Sequence, residues 1–295
     1  MNYADMTAKI ADGQGFIAAL DQSGGSTPKA LKGYGIDDGA WADEAAMYDL
    51  IHQMRCRIIR SPAFNGDRVI GAILFERTMD GMIDGQPVPA ALIAKGVVPF
   101  IKIDKGLEEE VDGVQLMKPM PELGALLIKA RSLGVFGTKE RSVISSAHSD
   151  GIAAVVAQQF AVAQQVLAHG MMPIIEPEVN IKSATRALCD TMLRDELLKQ
   201  LDAMAGGQQV MLKLSLPVVP GFFAPLVAHP AVLRVVALSG GYNRPDACTE
   251  LAKNPGVIAS FSRALLEDLR AQTSDDEFDA TLGRAIAEIH AASVA

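Results

Sequence analysis

Eight short runs rich in Val, Ile, Leu and Phe recur along the chain, and most are separated by segments with helical periodicity. They read FIAALD (16–21), VIGAILF (69–75), VVPFIKID (97–104), VFGTK (135–139), MMPIIEPEV (171–179), QVMLKLSL (209–216), LRVVALSG (233–240) and VIASFSR (257–263). Between them lie segments such as DEAAMYDLIHQMRCRII, DGIAAVVAQQFAVAQQVLAH and SATRALCDTMLRDELLKQLDAM, whose apolar residues return every three or four positions. Near-continuous apolar strands alternating with helices read as parallel strands covered on their outer face. Eight of them in a chain of 295 residues fit one (β/α)8 TIM barrel, for which about 250 residues is usual. Charge, Gly and Pro are spread evenly with no linker-like stretch, so residues 1–295 are expected to form a single α/β barrel domain. The alternative is an open doubly wound sheet. No GxGxxG follows the first run, which removes the main support for its dinucleotide-binding form.

Nearly all the runs end in a charged or small polar residue: Asp21, Lys102 and Asp104, Lys139, Glu176 and Glu178, Lys213 and Ser215, Ser239, Arg263. A barrel of this kind gathers the C-terminal ends of its strands at one mouth, where its active site lies. Lys213, in VMLKLSLP, is the most informative of these residues. A lysine flanked by Val, Met and Leu on a core strand is costly if charged. A free lysine titrates near 10.4, so little of it is nucleophilic amine at neutral pH. Burial and a neighbouring cation can bring the value to roughly 7–8, a change of about 4 kcal/mol. The neutral amine then attacks a carbonyl to form an iminium. A strand-end lysine that only pairs with a carboxylate is the plainer reading.

The other strand-end groups supply what such an amine needs. Lys139 is a candidate for the neighbouring cation, and Lys102 shares a face with Asp104 by strand alternation. Either could instead neutralise an anion. Glu176 and Glu178 also share a face, in IIEPEV, and a carboxylate beside an iminium is a natural general acid or base. Asp21 is a third carboxylate for proton handling or for orienting Lys213. For anions, LSGGYNRP places Ser239, Gly240 and Gly241 after the seventh run, where backbone amides can form a nest. Arg263 after the eighth run offers a planar fork for phosphate. Phosphate sites after strands seven and eight recur in these barrels. In DQSGGSTPK, Ser23 to Ser26 precede a helix and either cap it or bind a second anion.

Composition narrows the function classes. The formal net charge is −8, which argues against nucleic acid as a partner. The three cysteines, Cys56, Cys189 and Cys248, show no CxxC spacing and read as reduced thiols of a cytoplasmic protein. The N-terminal MNYADMTAKI has no signal-peptide core, and no uninterrupted apolar run approaches 18 residues, so no membrane span is expected. The five histidines, His52, His148, His169, His229 and His290, are scattered, and without clustered ligands no catalytic metal is expected. No interface stripe stands out; barrels of this kind often self-associate, so a homo-oligomer stays open.

AALDQSGGSTPKAL, GAILFERTMDG, VVPFIKIDKGL, IIEPEV, LKLSLP, ALSGGYNR and ASFSRAL, in this order from residue 16 to residue 270, together resemble the class I fructose-bisphosphate aldolases in their short bacterial form. The resemblance implies a (β/α)8 barrel without a metal or other cofactor that reversibly cleaves fructose 1,6-bisphosphate to dihydroxyacetone phosphate and glyceraldehyde 3-phosphate. It implies that Lys213 forms the Schiff base and Glu176 accepts a proton, with Asp21, Lys139 and Glu178 around the iminium. It implies that Ser239, Gly240, Gly241 and Arg263 hold the phosphate near the reacting ketone, and that Lys102 and Ser26 hold the distal one.

The chain departs from the longer animal-type pattern at several points. Glu140 stands where the longer forms have an aromatic, Ser262 where they have Gly, and Ala30 where they have a basic residue. The chain ends IHAASVA, without the tyrosine tail that helps protonate the enamine in the longer forms; Glu176 or a water is expected to serve that step. Two alternatives remain at the level of sequence. One is a related lysine aldolase for tagatose or sedoheptulose bisphosphate. The other is a non-catalytic phosphosugar binder on the same scaffold, which would have no need of a buried lysine.

Overall fold

The computed structural model describes residues 1–295. Each apolar run contains a strand: β1 (Phe16–Leu20), β2 (Val69–Leu74), β3 (Val98–Lys102), β4 (Gly137–Ile144), β5 (Met172–Val179), β6 (Val210–Ser215), β7 (Val232–Leu238) and β8 (Val257–Ala259). They pair in parallel and in sequence order. Past the end of β8, the Ala19 amide donates to the Phe261 carbonyl at 3.1 Å, which draws the last strand towards the first. The result is a nearly closed eight-stranded barrel, as the sequence pattern predicts.

The main helices are α1 (Tyr3–Asp12), α2 (Ser26–Gly33), α3 (Glu44–Arg60), α4 (Val88–Ala94), α5 (Leu123–Ser132), α6 (Ser149–Ala168), α7 (Arg186–Asp202), α8 (Arg244–Leu251) and α9 (Asp275–Ser293). Their starts carry side-chain caps where the sequence supplies them. Asp43 accepts from the Ala46 amide before α3, and Ser274 accepts from the Glu277 amide before α9, so helix donors that would otherwise lack partners are satisfied. Helix α6 is long and apolar enough to cross a membrane by length and composition, although Gln residues interrupt its apolar runs. Half of that stretch is buried in the protein, against β4, β5 and α7, as for a helix shared between two apolar neighbours.

Alternation along the strands makes two cores. One lies between strands and helices; the other fills the barrel with Ile17 and Ala19, Val98 and Phe100, Met172 and Ile174, Met211, Val236 and Ile258. Met6 and Ile10 of α1 join this interior cluster and close the lower end. The same period of two then places Asp21, Lys102, Glu176 and Lys213 one step above Ala19, Phe100, Ile174 and Met211. The barrel is therefore dry below the level at which its charges begin.

Two strand boundaries differ from the sequence reading. β4 continues five residues past Lys139, because Arg141 to Ile144 stay in register with Glu176 to Val179 although they are not a uniformly apolar run. β8 stops at Ala259, and Arg263 opens the short helical turn Arg263–Leu266 instead of ending a strand. The Ile10 side chain is fully buried, so Ile10→Ala should lower stability by about 2–4 kcal/mol through the cavity it leaves. Urea unfolding measures this, and an unchanged midpoint would mean that α1 does not seal the barrel.

Candidate active site

Lys213, Glu176, Lys139 and Asp21 form one buried chain of charge across the barrel mouth. Lys213 Nζ lies 3.1 Å from Glu176 Oε1, Lys139 Nζ lies 2.9 Å from Glu176 Oε2, and Lys139 Nζ lies 2.7 Å from Asp21 Oδ2. The four side chains are at most 10 % exposed, so their interactions are screened far less than those of surface pairs. Burial alone would raise the Asp21 carboxyl, but the Lys139 and Lys213 charges outweigh it and hold the group well below the usual carboxylate range. Burial alone would lower Lys139, but Asp21 and Glu176 outweigh it and keep that amine protonated. The two lysines are thus inequivalent: Lys139 is fixed by two carboxylates, whereas Lys213 contacts one.

The remaining site residues surround this chain. Lys102 donates to Asp104 Oδ1 at 2.6 Å and to the Asp104 carbonyl at 2.9 Å; its burial lowers its pKa and Asp104 opposes the shift. Glu178 accepts from Arg141 at 2.8 Å, away from the Lys213–Glu176 contact. Ser239 and Gly240 line the cavity. Gly240 and Gly241 have φ of 58° and 119°, conformations that side-chain-bearing residues rarely adopt. A Cβ on Gly241 would lie 3.8 Å from Arg263 Nη2, so the turn runs beside that guanidinium. Ser26 lines the cavity, but it does not cap the following helix from outside. It is the first residue of α2, its hydroxyl accepts from the Ser23 amide at 2.9 Å and donates to the Ser23 carbonyl at 2.8 Å, and Gly25 at the cap makes no side-chain bond.

All of these residues except Gly241 line one cavity of about 1040 Å³. Seven lysine or arginine side chains and five carboxylates line it, a local excess of two positive charges in a chain of net charge −8. Such a site favours an anionic small molecule. Among the seven cations, strand-end reasoning misses Arg141, Lys29 and Lys105. Arg141 follows Lys139 by two on the same strand face, and Lys29 follows Ser26 by one helical turn on α2, so both spacings were signals.

Glu140 accounts for one sequence departure. Its side chain is fully buried; Oε2 accepts from the Thr138 hydroxyl at 3.4 Å and Oε1 has no partner. Burial, aided by the Asp104 charge, pushes its pKa well above the usual carboxylate value, so it is held as the neutral acid.

The architecture and the lysine-centred, cation-rich cavity define a (β/α)8 barrel of aldolase type, and the comparisons agree. Residues 3–212 match the family model described as fructose-bisphosphate aldolase class-I. The chain is 54 % identical over 281 residues to a fructose-bisphosphate aldolase class 1 of Porphyromonas gingivalis, covering 95 % of each chain. The fold is similar to that of a fructose-bisphosphate aldolase of Plasmodium falciparum, crystallised with TRAP and a small-molecule inhibitor, with a TM-score of 0.80 and 18 % identity over 99 % of this chain and 93 % of that one. The chain belongs to the class I fructose-bisphosphate aldolases.

Glu140 gives this region a pH signature. A carboxyl ionised in the unfolded chain above about pH 4.3, but held neutral when buried, binds its proton only in the folded state. Its contribution is therefore neutral at low pH and becomes destabilising as pH rises. Glu140→Gln should match the wild type in stability near pH 4 and exceed it at pH 7, measured by urea unfolding at both values. An equal difference at both pH values would contradict the assignment.

Proposed function

We propose that residues 1–295 act as one catalytic unit that reversibly cleaves fructose 1,6-bisphosphate through a Schiff base on Lys213. The observation that carries this reading is the amine of Lys213, buried in the floor of a cationic cavity and 3.1 Å from Glu176. The Glu176 carboxylate is placed to take a proton from the ammonium, and the freed amine attacks the C2 ketone. The proton held by Glu176 and one proton of the attacking amine pass to the carbonyl oxygen, which leaves as water, so that an iminium remains and Glu176 is again a carboxylate. Lys139, fixed as a cation, stabilises the negative charge that develops on that oxygen.

Glu176 then takes the proton of the C4 hydroxyl. The C4 oxygen becomes the aldehyde oxygen, the C3–C4 bond breaks, and its electron pair passes to the iminium nitrogen as an enamine. Glyceraldehyde 3-phosphate leaves. Glu176 or a water returns a proton to C3, and hydrolysis releases dihydroxyacetone phosphate and restores Lys213. Asp21 keeps Lys139 in place, and Glu178 with Arg141 forms the wall on the Glu176 side. The iminium is the electron sink, so this route needs no metal or other cofactor.

The two phosphates are assigned to opposite ends of the cavity. Ser239, the Gly240–Gly241 turn and Arg263 hold the one beside the ketone. Ser26 and Lys102 hold the distal one. The Lys102 ammonium has three donors, of which Asp104 takes two, leaving one for a phosphate oxygen. The partner is a small sugar phosphate rather than nucleic acid or membrane, and the three buried, free cysteines suit a cytoplasmic enzyme.

Lys213→Met should abolish turnover, and Glu176→Gln should lower kcat by about 10²–10⁴-fold. Steady-state rates with the wild type should favour fructose 1,6-bisphosphate over its C4 epimer, tagatose 1,6-bisphosphate, and should be unaffected by chelators. Turnover by the Lys213→Met protein would reject the nucleophile, and equal rates on the two epimers would reject the substrate.

A further inference from the structure

Arg55 is a fully buried arginine in α3 with no carboxylate in ion-pair contact. Burial lowers its pKa to about 10, with the more distant Asp21 charge opposing the shift. A guanidinium placed this way is expensive, and its directed contacts show what it holds. Nη1 donates to the Thr78 hydroxyl at 2.7 Å, and Nη2 donates to the Gln22 carbonyl at 2.5 Å and to Gln22 Oε1 at 3.1 Å. Because a guanidinium only donates, the Gln22 side chain must turn its oxygen towards Arg55. Its amide nitrogen then donates to Ser262 Oγ at 2.6 Å and to the Ala19 carbonyl at 3.2 Å.

This arrangement sits where the barrel closes, between the end of β1 and the segment after β8. Gln22 lies between Asp21 and Ser23, whose amide is bonded to Ser26. Ser262 immediately precedes Arg263. The loop assigned to the distal phosphate and the loop assigned to the ketone-side phosphate are therefore tied by one side-chain contact, whose orientation a buried cation dictates.

We infer that Arg55, Gln22 and Ser262 form a positioning relay that fixes the separation of the two phosphate-holding loops and thereby selects a bisphosphate over a monophosphate. The inference rests on the phosphate assignments proposed above. Ser262→Ala removes the acceptor, and Gln22→Leu removes both side-chain links while leaving the Arg55 bond to the residue-22 carbonyl. Neither variant takes away a group assigned to either phosphate.

The experiment compares kcat/KM for fructose 1,6-bisphosphate with kcat/KM for fructose 1-phosphate, which has only the ketone-side phosphate. In both variants the ratio of the two should fall about tenfold, mainly through a higher KM for the bisphosphate, and Ser262→Thr should preserve the ratio. Ser262 is only partly buried, so Ser262→Ala decides the matter if Gln22→Leu does not fold. An unchanged ratio, or an equal loss on both substrates, would overturn the relay. Arg263→Ala tests the underlying assignment separately. It should raise KM for both substrates, and unchanged values there would reject the phosphate reading itself.

Discussion

Glu176 lies between two lysines, one on each carboxylate oxygen, and the rest of the site is arranged around that bridge. The Lys213 contact brings β6 chemistry to β5, and the Lys139 contact brings β4 to β5 and, through Asp21, to β1. The β4–β5 register sets Arg141 beside Glu176, while the β5–β6 pairing extends only through Ile174↔Met211 and Ile175↔Leu212. Glu176 thus lies just past the last paired position between β5 and β6. Across that gap the ion pair connects the two strands at the barrel mouth.

Burying four charges is not a route to stability. Desolvation of each ion costs several kcal/mol, and a well-packed apolar cluster is often more stable than the ion pairs it replaces. The apolar layers directly beneath show that this chain can fill a barrel with Ile, Val, Phe and Met. The charges begin only at the C-terminal strand ends. Their balance is asymmetric, since Lys139 is locked by two carboxylates, which keep it a cation, and Lys213 contacts one. Outside this layer, Glu140 and Arg55 carry buried polarity that contacts no carboxylate or ammonium directly. Each is accommodated in its own way, the first by staying protonated and the second by donating to loop groups.

Much of this was legible in the sequence because strands impose a period of two. Once the eight apolar runs were seen, the polar residues at their ends had to converge, and Lys213, Glu176, Lys139, Asp21 and Lys102 were found that way. Arg141 escapes a strand-end reading because the apolar run stops at Lys139, where composition becomes polar although the backbone pairing continues. Arg263 reads as a strand end because VIASFSR is rich in Val, Ile and Phe and closes on a charge; the chain instead leaves the sheet after Ala259 and bends towards β1. Arg55 was hidden among three arginines of α3. Arg57 and Arg60 reach exposed partners, Asp275 and Asp84, whereas Arg55 lies on the face that carries Ile51, Ile58 and Ile59. Its spacing from those residues was a signal, but its partners come from segments far apart in the chain, which no local pattern reveals.

In the proposed mechanism Lys213, and not its neighbour Lys139, becomes covalently bound to the substrate. Borohydride reduction in the presence of dihydroxyacetone phosphate, followed by peptide mass spectrometry, tests it directly. A single modified peptide carrying the adduct on Lys213 is expected. An adduct on Lys139 or Lys102, or no adduct while cleavage activity persists, would contradict it.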